Sequence, residues 1–158
     1  MAEANLSAEE LAEIERKFDP ESAFRSTGKL MGFVITAGLV AMSIYHFYAS
    51  GFALIQELTH RGIHLSFVLG LVFLLFSWQK SLSTEMVPAA WYRFDGVPLF
   101  DILLSVLAVG AAMYLPLLPS AALAMRVGNP SASDVFMGSA LLILTLEASR
   151  RSVGITLP

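Results

Sequence analysis

An all-α membrane protein is the fold class this sequence predicts, and three observations predict it. More than half of the 158 residues are apolar and only 15% are charged, against about 25% in typical globular chains. The charges are unevenly placed: seven of thirteen acids and four of ten bases precede Leu30. Four long apolar runs then follow, separated by short polar connections. There is no cysteine, which excludes disulfides, thiol catalysis, Fe–S clusters and thiolate zinc sites. A net charge of −3 gives no nucleic-acid footprint.

The first 28 residues are polar and acidic and do not read as a signal peptide, so insertion is expected to rely on the first hydrophobic segment. Ser7 and Glu10 have capping-box spacing, with Leu11, Ile14 and Phe18 roughly on one face; Asp19 and Pro20 suit a second helix start. Residues 1–28 are therefore expected to be a cytoplasmic or interfacial amphipathic segment, and 29–158 a four-helix transmembrane domain.

The first span is expected over about 30–49, since Leu30 to Ile55 carries no formal charge and about 20 residues cross the hydrocarbon layer. Tyr45, His46 and Tyr48 stand near its end, as in an aromatic belt. The second span is expected over about 62–78. Gly62, Ser66, Gly70 and Ser77 fall within about 80° of one another at 100° per residue, a small-residue face suited to close packing against a helix or a partner. The connection "SLSTEMVPAAWYRFDGVP" reads as polar, with an interfacial Trp91–Tyr92 pair. A third span follows over about 99–116, where Pro116 and Pro119 end or kink the helix. The fourth is expected over about 132–151, after a Ser131/Asp134 cap; its charge-free part, Val135 to Leu146, crosses only if the flanking charges reach the headgroups.

Lys and Arg distribute eight to two between the sides, with Arg61 and Arg126 alone in the first and third loops. The positive-inside rule places both termini in the cytoplasm. Glu147 then lies about one turn inside Arg150 and Arg151 at the cytoplasmic end of the last span. Glu before Arg at i, i+4 is the favourable order, and arginines suit a helix C-terminus. An intramembrane acid raises the question of transport. No second carboxylate is expected in a span to form a relay, so Glu147, Arg150 and Arg151 read as a cytoplasmic exit and anchor. His46, His60 and His64 offer the alternative: two helices bringing imidazoles to a haem or metal in a small redox subunit. No hydrolase, zincin or phosphate-loop motif occurs. The residues therefore predict no enzyme, no cofactor, no metal site, and no substrate- or ion-binding site.

Three stretches, "FDPESAFR" (18–25), "RGIHLSFVLGLVFLLF" (61–76) and "LEASRRSVG" (146–154), carry a resemblance. In this order and spacing the chain is similar to the small membrane component of tripartite ATP-independent periplasmic (TRAP) transporters. It is most similar to the TAXI-type branch, in which that component is commonly fused to the front of the large permease. The resemblance implies a bacterial or archaeal cytoplasmic membrane. It also implies a large permease subunit, separate or fused after Pro158, and a periplasmic TAXI-type substrate-binding protein. The small component would be a scaffold beside the permease in ion-coupled uptake of organic acids. Lipid is the other expected partner, and nucleic acid is not expected.

Overall fold

The structure, a computed structural model, describes residues 24–78 and 92–153. The capping signals at Ser7 and Asp19, and Trp91, lie outside the described residues. The chain is mostly helical. In order the elements are α1 (Lys29–Gly51), α2 (Glu57–Leu75), β1 (Arg93–Phe94), β2 (Val97–Pro98), α3 (Leu99–Tyr114), α4 (Ser120–Arg126) and α5 (Ala132–Val153). Three helices, α1, α2 and α5, are long and apolar enough to cross a membrane. At 1.5 Å per residue, α3 reaches only about 24 Å.

The four longer helices run antiparallel in sequence order, with α2 in contact with α1, α3 and α5. Their faces divide into two apolar cores. Met31 and Ile35 of α1 meet Leu71 and Leu74 of α2 and Val97 of the strand pair. Leu69 and Phe73 of α2 meet Ala108 of α3 and Leu144 and Ala148 of α5. The remaining faces are apolar and exposed, with Phe33, Ile44 and Phe47 on α1, Val106 on α3, and Phe136 and Ile143 on α5. Large apolar residues facing outward along α1, α3 and α5, with α2 enclosed among them, suit a lipid surround.

The small residues of α2 face α3. A Cβ on Gly62 would come within 2.2 Å of the Pro116 ring, and one on Gly70 within 3.1 Å of Val109 Cγ2. Ser66 is buried and donates its hydroxyl proton to the Gly62 carbonyl at 2.7 Å. This part of the face therefore closes an interface within the chain. Ser77 lies past the end of α2, which starts at Glu57 and stops at Leu75 rather than running from 62 to 78. Glu57 favours the early start, because an acid in the first turn complements the helix dipole and pairs with Arg61 one turn on. The backbone becomes extended at Phe76, where the ring packs on Phe24 at 5.2 Å.

The second connection contains a hairpin the sequence reading passed over. Asp95 and Gly96 have φ of 49° and 90°, as the two central residues of a type I′ turn require, and Phe94 pairs with Val97. The turn caps α1 from a distance. Asp95 Oδ2 accepts the Met31 N–H at 2.7 Å, and the Asp95 carbonyl accepts the Gly28 N–H at 2.8 Å. Without this, the start of α1 would have no side-chain cap.

Pro116 follows the end of α3, and the loop beyond it forms the short helix α4. Ser131 and Asp134 cap α5 reciprocally: Ser131 N–H donates to Asp134 Oδ2 at 2.7 Å, and Asp134 N–H to Ser131 Oγ at 3.3 Å.

Candidate functional site

One end of the bundle gathers the approach to α1, the end of α2, the start of α3 and the end of α5. Asp101, in the first turn of α3, is 3% exposed. It is a second carboxylate beside Glu147 at this end, within the bounds expected for the third span. Asp101 accepts from Arg25 at Oδ2 and from Arg151 Nη1 at Oδ1, the latter at 2.8 Å. The Arg151 side chain is fully buried and that of Arg25 nearly so. Charges this far from water persist only when paired and hydrogen-bonded.

Glu147 extends the cluster. Its Oε1 accepts from Arg151 Nε at 2.7 Å and from Arg150 Nη2 at 2.8 Å, and its Oε2 accepts from Arg150 Nε at 2.7 Å. Arg150 lies on the outer side, its guanidinium carbon 4.8 Å from the Trp78 ring centroid. Arg151 turns inward instead of toward the headgroups, and stands 5.0 Å from the Phe73 centroid and 5.5 Å from that of Trp78. The cause is Asp101: a second buried carboxylate plus two aromatic faces give the guanidinium partners inside the bundle.

The end of α2 completes the site. Its last carbonyls lack partners within the helix. The Leu75 carbonyl accepts the Arg25 backbone N–H at 2.8 Å. The Phe76 carbonyl receives Arg25 Nη2 at 3.2 Å and Arg151 Nη1 at 3.5 Å. Three guanidiniums and two carboxylates leave the cluster rich in donors, and Arg25 Nη1 and Arg151 Nη2 are buried without an acceptor among the described residues.

The opposite end holds the histidines. His46 Nδ1 donates to the Met42 carbonyl at 2.8 Å. That fixes the proton on Nδ1, so His46 Nε2 accepts from His64 Nδ1 at 2.8 Å. His60 Nδ1 lies 3.1 Å from the Tyr45 hydroxyl. These ring nitrogens are engaged with one another, a carbonyl and a phenol, and among the described residues no three His, Asp or Glu side chains are placed to hold a metal ion. Beside them, Asp134 accepts from Arg126 at 2.8 Å and from the Tyr114 hydroxyl at 2.9 Å. The hydrogen bond to Tyr114, and then the Asp134 carboxylate, hold the Arg126 guanidinium above its ordinary pKa.

Between the two ends, the hydroxyls serve the backbone. Ser43, Ser66, Ser105 and Thr145 each donate to a carbonyl, at 2.7–3.0 Å. Such a layout can hold helices in register and fix where they leave the membrane. Among the described residues, the paired titratable groups lie at the two ends of the bundle.

The sequence reading found Glu147, Arg150 and Arg151 and missed Asp101 and Arg25 as their partners, and Asp95 as the cap of α1. Two signals were available. Asp101 stands at the head of an apolar run on the arginine-rich side, and "FDG" marks a tight turn.

No family model, curated protein or solved structure matches this chain.

Proposed function

We propose that the chain is the small, non-catalytic membrane subunit of a TRAP-type transporter of the TAXI branch. It stands as a scaffold beside a large permease in ion-coupled uptake of organic acids delivered by a periplasmic binding protein. In this reading it lies in a bacterial or archaeal cytoplasmic membrane with both termini inside. α3 is then a fourth, short span, accommodated by local thinning of the bilayer.

The observation that carries the reading is where the three stretches bearing the resemblance converge. Phe24 and Arg25 come from the first, Phe73 and Phe76 from the second, and Glu147, Arg150 and Arg151 from the third. They meet around the buried Asp101, with Phe24 exposed and Arg150 partly so. A cluster with such reach fixes the relative positions of helices, which is what a rigid supporting subunit requires.

The test is co-purification and uptake. Expressed with its neighbouring permease and binding protein, the chain should co-purify with the permease, and uptake should fall to background when it is deleted. Uptake by the permease alone at the full rate would refute the proposal. A Soret band in the purified protein would replace it with a haem subunit.

A further inference from the structure

We propose that His46 and His64 form a proton-operated latch that holds the last turns of α1 against α2. The inference does not depend on the transporter reading. Its basis is how unequally α1 is held along its length. Near the start, Met31 and Ile35 are buried against Leu71 and Leu74, and the Asp95 turn caps the helix. From Met42 to Gly51 no residue of α1 is buried. There, two side-chain hydrogen bonds cross to α2: His64 to His46 at 2.8 Å and Tyr45 with His60 at 3.1 Å. Among the described residues no other hydrogen bond joins these two helices.

The two bonds answer a proton differently. The Tyr45 hydroxyl both donates and accepts, so it serves His60 Nδ1 with or without a proton. His46 has no such freedom. Its Nδ1 proton is committed to the Met42 carbonyl, which leaves Nε2 as the acceptor for His64 Nδ1. A proton on His46 Nε2 and this hydrogen bond exclude each other, since two N–H groups would then face across the gap. His64 is exposed and takes a proton on its other nitrogen, Nε2, with the bond intact. The proton that opens the latch is therefore the one on His46. It also adds a like charge beside rings whose centroids lie 4.9 Å (His64) and 5.5 Å (His60) away.

The other titratable groups at this end are engaged elsewhere. Among the described residues, Glu57 pairs with Arg61, Asp134 accepts from Arg126 and Tyr114, and Tyr48 stacks on Phe52. No carboxylate there is left to hold a second imidazolium in place. The arrangement with the bond broken binds one proton more, so linkage makes acid favour it. Histidine is the side chain whose ordinary titration falls between pH 5 and 8, which sets the range. The latch holds at the alkaline end of that range and is released as the pH falls.

The test is hydrogen exchange of the full chain in phosphatidylcholine nanodiscs. It is read by mass spectrometry at pH 8 and pH 5, with labelling times scaled to equal intrinsic amide exchange. Protection over residues 43–51 should fall about fivefold at pH 5, the worth of one hydrogen bond, while that over 29–38 stays unchanged. His64→Gln should abolish the fall, because its amide can donate to His46 Nε2 or accept from it. His60→Gln should keep the fall, because the Tyr45 hydroxyl serves either side chain. In the wild-type chain, the nitrogen-15 coupling across the His64–His46 bond should weaken over the same range, a readout that needs no variant. Equal protection of 43–51 at the two pH values would overturn the proposal. So would a fall that persists in His64→Gln, a fall lost in His60→Gln, or a coupling undiminished at pH 5.

Discussion

Replacing Asp101 by Asn should be among the most damaging single changes available in this chain. The side chain keeps its shape but loses its charge, and one of its two acceptor oxygens becomes an NH₂ donor. Arg25 and Arg151 both donate to it, so one guanidinium then faces a donor. Arg151 keeps Glu147, whereas among the described residues Arg25 has no other carboxylate partner and retains only the Phe76 carbonyl for its side chain. Removing one partner of a buried ion pair costs about 3–5 kcal/mol, because the remaining charge stays buried. For a chain of this size each kcal/mol shifts the melting temperature by about 2–4 °C, so a fall of about 6–20 °C is expected. Tryptophan fluorescence during heating of detergent-purified protein reads it well, since Trp78 lies against the cluster. Arg150→Gln is the comparison. That side chain is 28% exposed, and its loss should cost about 1 kcal/mol. Replacing Arg25 and Asp101 together by Leu should recover much of the Asp101→Asn loss, because an apolar pair leaves no charge unpaired. If Asp101→Asn melts no lower than Arg150→Gln, the buried cluster does not hold these helices together.

Three further outcomes follow from local geometry. Gly62→Ala should destabilise by about 1–3 kcal/mol, because the new Cβ meets the Pro116 ring, while Gly138→Ala, in open space on α5, should be neutral or stabilise by up to about 1 kcal/mol; the two melting temperatures check this. Gly96→Ala should strain the turn by about 1–3 kcal/mol and speed hydrogen exchange at the Gly28 and Met31 amides, which bond to Asp95. Asp134→Ala should fray the first turn of α5 at a cost of about 0.5–2 kcal/mol, read as faster exchange at the Ser131 amide.

Much of the helical layout was legible because it is local. Long uncharged runs, Pro116 after α3, and the Ser131/Asp134 cap each act within a few residues of where they stand. The candidate site was only half legible. Glu147 and its arginines are one turn apart and could be read as a unit. Asp101 falls inside the bounds expected for the third span, 99–116, but close to its start, where a lone acid reads as a boundary charge. Its partners lie 76 and 50 residues away, and no periodicity in a single segment encodes such pairings. Arg25 was counted only as a cytoplasmic charge for the same reason. The inward turn of Arg151 follows from Asp101, so missing one concealed the other. The small residues of α2 were readable as a packing face, but not as one facing α3, since helix order in a bundle is not a property of one helix.

The most direct test of the membrane account is a topology map, and the absence of cysteine makes it clean. Single cysteines at Leu54, Phe94, Asn129 and Val153, all exposed, sample each connection in turn. An impermeant thiol reagent on intact cells should label the Leu54 and Asn129 variants, and should reach the Phe94 and Val153 variants only after permeabilisation. Labelling of Phe94 and Asn129 from the same side would show that α3 does not cross, and labelling of Val153 in intact cells would contradict the proposed orientation.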